Sequence, residues 1–343
     1  MNYDSTVRLI EQGIREEIFP CAAFAIGRHD EVLKRGFMGN RSLFPEIQPL
    51  LEDSLFDMAS LTKILSTTML ALKAVESGRI SLADRLSLFF DQCYDKGDIS
   101  IKQLMTHTSG IAAHFPLYEM NIRPDETIDA ILKMPLAYKT GSAEVYSCMG
   151  FILLGKILER VYGDRLDKLA RHMVFEPLGM KTAGYCPVGG NTVSTEYSSG
   201  LNAYINGVVH DENARFLGGV SGNAGVFASL DDMIAFCAML SRRGKGFLSE
   251  RIFERAVENY TPGMEENRGL GFILNGSPLS FAGDLFSDGS YGHTGFTGTS
   301  VMVDNKTGLY AVLLTNRVHY GRENEKLFRF RRQFHNSIWG NTL

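Results

Sequence analysis

In the first eighteen positions Val7, Ile10, Ile14 and Ile18 recur at a three-to-four-residue spacing that predicts an N-terminal helix. The pattern then shifts to short apolar runs. Ala22–Gly27 and Val32–Met38 read as two strands joined by the polar turn Arg28-His29-Asp30. The last quarter has the same texture. Gly271–Leu274, Gly295–Val303 and Leu309–Thr315 read as strands, with Asp304-Asn305-Lys306-Thr307-Gly308 as a tight connection between the last two. A helix from about Glu323 to Trp339 closes the chain. Between these ends, Ser60–Ser77, Ile101–Met105, Met149–Tyr162, Leu166–Met173 and Asp231–Ser241 read as helices, separated by Gly-, Ser-, Asn- and Pro-rich loops such as Gly184–Ser199 and Gly218–Gly225. Short strand connections make the sheet antiparallel. The expectation is an α+β fold with one catalytic domain over residues 1–343. Its sheet subdomain comes from about 1–58 and 268–343, its mostly helical subdomain from about 59–267, and the cleft between them is the default site.

Composition removes several function classes. The chain has 343 residues, 44% hydrophobic and 22% charged, which excludes a disordered or low-complexity protein. Its 35 basic and 39 acidic residues give a net charge of −4 and no basic stripe, so no nucleic-acid partner is expected. The basic cluster Arg329–Arg332, broken by Phe330, reads as the solvated side of the last helix. The most apolar stretch, Phe151–Leu158, is interrupted by Lys156 and falls far short of the about 20 residues of a membrane span. Five scattered cysteines, Cys21, Cys93, Cys148, Cys186 and Cys237, form no C-x-x-C and argue against a disulfide framework or zinc ribbon. Residues Met1–Arg8 carry no apolar export signal. A cytoplasmic location is expected, or an extracytoplasmic one if a leader has been trimmed.

The usual catalytic signatures are missing. There is no G-x-S-x-G, no phosphate-binding glycine motif and no H-E-x-x-H, so neither an ordinary nucleotide site nor a catalytic metal site is expected. What remains is a single S-x-x-K, Ser60-Leu61-Thr62-Lys63, at the start of a predicted helix. Residues i and i+3 share a helix face, which sets an amine beside a hydroxyl. Serine needs an adjacent base to become a nucleophile. Lysine serves as one only if its pKa falls well below about 10.4. By itself the motif is better read as an N-cap serine and a solvated lysine.

Two further motifs alter that balance. Tyr146-Ser147-Cys148 directly precedes an apolar helix, and Tyr291-Gly292-His293-Thr294-Gly295-Phe296 opens a strand. The order S-x-x-K, Y-S-x, H-T-G resembles the serine β-lactamase and penicillin-binding protein superfamily, in particular its class C β-lactamase-related branch. Leu104–Gly110, Pro177–Met180 and Gly219–Ser229 are similar to further stretches of that branch, and the likeness runs over roughly residues 10–320. The resemblance implies Ser60 as acylated nucleophile, Lys63 as base or base partner and Tyr146 as proton shuttle. It implies His293, Thr294 and Gly295 as the substrate-binding strand, and the Ser60 and Phe296 N–H groups as an oxyanion hole. Tyr197-Ser198-Ser199 is a competing tyrosine motif without an apolar helix behind it. For His107, His210 and Asp211 a loop-anchoring role is the expectation. Asn223 either lines the cleft or merely turns the chain.

Two positions depart from the family pattern. Cys148 stands where the branch places an asparagine amide, and a thiol is a weaker hydrogen-bond partner. His293 replaces a lysine that attracts the substrate carboxylate, and an ordinary imidazole is mostly neutral at pH 7. The implied activity is a serine hydrolase acting on a small-molecule or peptide substrate with an amide or ester bond, penicillin-binding-protein-like. The alternatives are an esterase or D-aminopeptidase on the same scaffold, or a catalytically silent binding domain. The oligomeric state is left open.

Overall fold

The structure is a computed structural model that describes residues 3–277 and 280–340. Its organising element is a seven-stranded antiparallel sheet. The strands are β1 (Cys21–Arg28), β2 (Glu31–Ser42), β3 (Gln48–Pro49), β4 (Ile273–Leu274), β5 (Tyr291–Thr294), β6 (Ser300–Val303) and β7 (Leu309–Thr315), in the order β3-β2-β1-β7-β6-β5-β4. The two chain ends meet at β1 and β7, where Ala22 faces Thr315 and Arg28 faces Leu309. Both strands are apolar along their length because both faces are covered.

Side-chain alternation sorts this sheet into two cores. Ala22, Phe24 and Ile26 of β1 join Leu309, Ala311 and Leu313 of β7 against helix α1 (Asp4–Arg15) and the closing helix. Cys21, Ala23 and Ala25, with Tyr310, Val312 and Leu314, point the other way into the larger core of the helical middle. Ile18 lies beyond the end of α1 yet is buried, so the N-terminal apolar spacing outruns the helix itself.

The helical run containing Ser60 has three parts: a 3₁₀ turn (Ala59–Leu61), a wide turn (Lys63–Thr68) and helix α2 (Met69–Glu76). The wide i+5 turn is a form often found at functional sites. Helix α3 (Cys148–Tyr162) starts at an N-cap, where the Ser147 hydroxyl accepts from the Gly150 N–H, and ends on left-handed Gly163. Helix α4 (Leu230–Ser241) packs on β1 and β7 from the large core. Helix α5 (Lys326–Trp339) closes the chain, starting three residues later than expected.

One predicted strand is corrected. Gly295–Val303 is not continuous: β5 ends at Thr294, residues 295–299 turn, and β6 returns antiparallel with His293 opposite Val301. Gly295 N–H donates to the Thr299 carbonyl, and Gly298 takes φ +126, which a residue with a Cβ rarely adopts. Gly271–Leu274 likewise shortens to Ile273–Leu274. The Gly184–Ser199 loop contributes Gly184–Tyr185 to a small sheet with Phe56–Asp57 and Val226–Ala228, and Tyr197–Ser198 to a separate hairpin. Helices Thr127–Lys133, Glu212–Phe216 and Glu250–Ala256 carry no sequence expectation. No helix among the described residues is long and apolar enough to cross a membrane.

Candidate active site

Ser60 is held by strain and a clamp. Ala59 takes a left-handed φ of 45, uncommon for a residue with a Cβ. The buried Asp57 carboxylate fixes that turn: Oδ1 accepts from the Ala59 N–H at 2.8 Å and Oδ2 from the His210 N–H at 2.6 Å. The turn after β5 packs on the same peptides. Thr297 donates to the Asp57 carbonyl at 2.8 Å and Thr299 to the Met58 carbonyl at 3.2 Å. A Cβ on Gly295 would lie 2.6 Å from the Met58 carbonyl oxygen, so only glycine permits this approach.

Lys63 is fully buried one turn further on. Its ammonium donates to Ser60 Oγ at 3.1 Å, the Asn223 carbonyl at 3.0 Å and Cys148 Sγ at 3.5 Å. All three protons are thereby used, and no carboxylate forms an ion pair with it among the described residues. Burial pushes its pKa down, the negative charge that Cys148 and Tyr146 carry on ionising pushes it up, and the balance lies above the ordinary value. The sequence argument required a lowered pKa; the site instead keeps Lys63 charged at rest.

Tyr146 sits directly before the cap of α3. Its hydroxyl is buried and faces Lys63 and Ser60, without the alignment of a full hydrogen bond to either. Lys63 Nζ lies 4.8 Å from the ring centroid, Arg268 lies 5.4 Å from it, and the rings of His107 and His293 stand 4.6 Å and 6.0 Å away. Burial raises the phenol pKa, and Lys63 opposes that. The rest state is therefore an ammonium beside a neutral phenol. His107 ties down this loop. Its Nδ1 accepts from the Ser147 N–H at 3.0 Å, and its carbonyl accepts from Tyr138 Oη and the Val145 N–H.

His293 Nδ1 lies 2.7 Å from the Thr294 carbonyl, which fixes the proton on Nδ1 and leaves Nε2 a buried acceptor without a partner. Burial, with Arg268 and Lys63 nearby, pushes its pKa well below 6.5. His293 is thus neutral and supplies no cation.

Ser60, Tyr146, His293, Thr294, Gly295 and Phe296 line one cavity of about 650 Å³. Lys63 and Cys148 stand behind Ser60 and are not among its walls. Asn223 reaches the site through its backbone carbonyl. Tyr197 is exposed, donates to Asn202, and takes no part. No cluster of His, Cys, Asp and Glu suited to a metal occurs among the described residues.

The Beta-lactamase family model matches residues 6–336. The chain belongs to the Beta-lactamase family. It is 28% identical to a Bacillus subtilis protein named "N-acetylmuramyl-L-alanine amidase", over 91% of this chain and 81% of that one. It is 30% identical to an Escherichia coli protein named "Putative D-alanyl-D-alanine carboxypeptidase", over 78% and 70%. The fold superposes on a class C β-lactamase from Rhodobacter sphaeroides with a TM-score of 0.79, 19% identity and coverage of 99% and 100%. Family and relatives together make this chain a serine hydrolase of penicillin-binding-protein type.

The sequence reading missed the arginines. Arg268 is buried between Glu144, at 2.9 Å, and Glu266. Arg317 and Arg331 line the far end of the cavity. The expectation that Arg329–Arg332 faces water fails at Arg331, which is 4% exposed. The signal was present: Leu327, Phe330, Arg331, Phe334, His335 and Ile338 form one buried stripe at helical spacing, and Arg331 falls on it.

Proposed function

We propose that Ser60 forms an acyl-enzyme with an amide or ester substrate, and that residues 1–343 act as one catalytic unit in doing so. The observation that carries this reading is the Lys63 ammonium, buried and 3.1 Å from Ser60 Oγ, with the buried Tyr146 hydroxyl facing both. Ser60 Oγ bonds to the substrate carbonyl carbon, and its proton passes to the Lys63–Tyr146 pair. The pair can accept that proton only after releasing one to solvent, because both members are protonated at rest. The N–H groups of Ser60 and Phe296 face the developing oxyanion. The C–N or C–O bond then breaks as the pair hands the proton to the departing amine or alkoxide. Water attacks the acyl carbon by the reverse route, releasing the acid and restoring Ser60. These steps need no cofactor.

Two observations favour a second substrate reading, an esterase or D-aminopeptidase in place of a β-lactam or D-alanyl peptide hydrolase. Cys148 offers no amide to a substrate's acyl amide, and His293 is neutral. The test incubates the protein with a fluorescent penicillin and with p-nitrophenyl butyrate, followed by intact mass. A Ser60 adduct or ester turnover that disappears in Ser60→Ala is expected. Silence on both substrates would leave a catalytically silent binding domain as the better account.

A further inference from the structure

Ser60 and Phe296 present their N–H groups from different elements, the turn before α2 and the turn after β5. One buried residue touches the supports of both. His210, 4% exposed, donates its own N–H to Asp57 Oδ2 at 2.6 Å, and Asp57 Oδ1 takes the Ala59 N–H next to Ser60. Its imidazole lies against the Phe296 ring, with centroids 5.6 Å apart and planes inclined by 24°, an offset stack. The far edge of the imidazole is fixed as well. Nε2 stands 2.8 Å from Glu196 Oε2, and Arg322 holds Glu196 at 2.7 Å and Glu212 at 2.8 Å.

Phe296 needs such support. The β5–β6 pairing stops at Thr294, so no sheet ladder fixes the Phe296 peptide, and its N–H makes no hydrogen bond among the described residues. Its ring is 46% exposed at the cavity wall. Two side chains from distant parts of the chain supply the restraint. One is His210. The other is Arg317, whose Nε donates to the Phe296 carbonyl at 3.0 Å and whose guanidinium carbon lies 4.7 Å from the ring centroid. Arg317 is tied by Nη1 to the carbonyls of Arg322 and Asn324 at 2.9 and 2.7 Å, and the charges of Glu325, Glu196 and Glu323 act on it. Arg322 therefore bears on both restraints, on His210 through Glu196 and on Arg317 through its own carbonyl. A loop anchor at position 210 needs only the His210 N–H and the Glu196 contact. Neither accounts for a ring laid against an aromatic side chain of the cavity wall.

We propose that His210 is a positioning residue for the oxyanion hole: its main chain sets the Ser60 donor through Asp57, and its ring, together with Arg317, sets the Phe296 donor. This rests on the acyl-enzyme reading above and adds to it a residue that never touches the substrate. Side-chain variants keep the His210 N–H, so they disturb the Phe296 side alone. His210→Ala should lower kcat for p-nitrophenyl butyrate at least about tenfold, a part of the about 10²–10³-fold lost with a whole donor. KM should move by less than about threefold, because the oxyanion is absent from bound substrate. His210→Phe keeps a ring against Phe296 and should retain most of kcat. His210→Gln keeps a hydrogen bond to Glu196 without a ring and should lose as much as His210→Ala. A role confined to anchoring the loop through Glu196 predicts the reverse order. A double-variant cycle with Phe296→Ala, which removes the ring and keeps the N–H, then tests the route. Effects that pass through one ring do not add, so the double variant should be no slower than the slower single variant, whereas independent effects multiply. Thermal melts accompany each variant, and where His210→Ala is unfolded His210→Gln takes its place in the cycle. Ser60-dependent turnover with multiplying effects, with a loss confined to KM, or with Gln outperforming Phe overturns the positioning role alone. Absence of Ser60-dependent turnover in the wild type overturns the acyl-enzyme reading and this role with it.

Discussion

Replacing Lys63 by methionine separates its chemical role from its structural one. Methionine is unbranched and of similar length, so packing loss is modest, below about 1.5 kcal/mol. The substitution deletes three hydrogen bonds, to Ser60 Oγ, Cys148 Sγ and the Asn223 carbonyl. At about 0.5–1.5 kcal/mol each, that loss is of the order of 3 kcal/mol. Against it stands the release of a fully buried ammonium with no ion-paired carboxylate, whose burial costs several kcal/mol. The two nearly cancel, so Lys63→Met should change stability by no more than about 2 kcal/mol, a small Tm shift for a chain of this length. Ester turnover should nevertheless fall at least about 10²-fold, as for a lost general base. The assay pairs p-nitrophenyl butyrate kinetics with urea unfolding on the same preparation. Turnover within tenfold of wild type would remove Lys63 from the mechanism. Destabilisation well beyond 3 kcal/mol, on the order of losing a structural keystone, would show that the ammonium holds the fold together.

Lys63 and Tyr146 both have raised pKa values, and the competent pair lacks one proton, so acylation should quicken about tenfold per pH unit from pH 7 to 9; a flat profile there would contradict the assignment. His107, His293, His319 and His335 are buried with lowered pKa values, His335 to about 3. The unfolded chain therefore binds more protons as pH falls below 6.5, and stability should drop between pH 6.5 and 4.5 by up to about 1.4 kcal/mol per histidine per pH unit. Asp57 and Glu144, with raised pKa values, offset part of this, and urea midpoints at pH 7, 6 and 5 measure the net loss. Gly295→Ala would set a Cβ 2.2 Å from Thr299 Oγ1 and 2.6 Å from the Met58 carbonyl, so the turn after β5 must shift away from Ser60. Turnover should fall at least about 10²-fold, the scale of a displaced oxyanion donor, with circular dichroism unchanged. Cys148→Asn should speed acylation by a fluorescent penicillin, because the amide can accept from Lys63 and still donate to a substrate carbonyl; unchanged or slower acylation would show that this position does not limit β-lactam use.

What could be read from the sequence, and what could not, divides along a physical line. Ser60 and Lys63 were legible because three-residue spacing on a helix is a local geometric fact. Tyr146 was legible from the apolar helix that follows its capping Ser147. The central strands were legible because β1 and β7 are buried on both faces. The β5–β6 hairpin was misread because two apolar runs flank a turn that only the glycines mark. The Asn223 carbonyl, a principal acceptor for Lys63, has no residue-type signature: any residue carries a carbonyl there.

Charge balance is the property the sequence conceals most completely, because it is settled by partners far apart along the chain. Arg268 and Glu144 are separated by 124 positions yet pair in the interior. Arg317 and Arg331 are equally buried and find no such carboxylate. Lys63, also unpaired, remains charged, while His107 and His293 are driven neutral by burial and by the cations around them. The cavity walls carry Glu144, Glu265 and Glu266 against Arg268, Arg317 and Arg331, and the Lys63 ammonium behind Ser60 adds one more cation. Such a site gains most from negative charge that develops beside Lys63, the oxyanion that forms as Ser60 is acylated. That charge is present only in the transition state, so stabilising it raises kcat, and its loss should appear in kcat and not in KM.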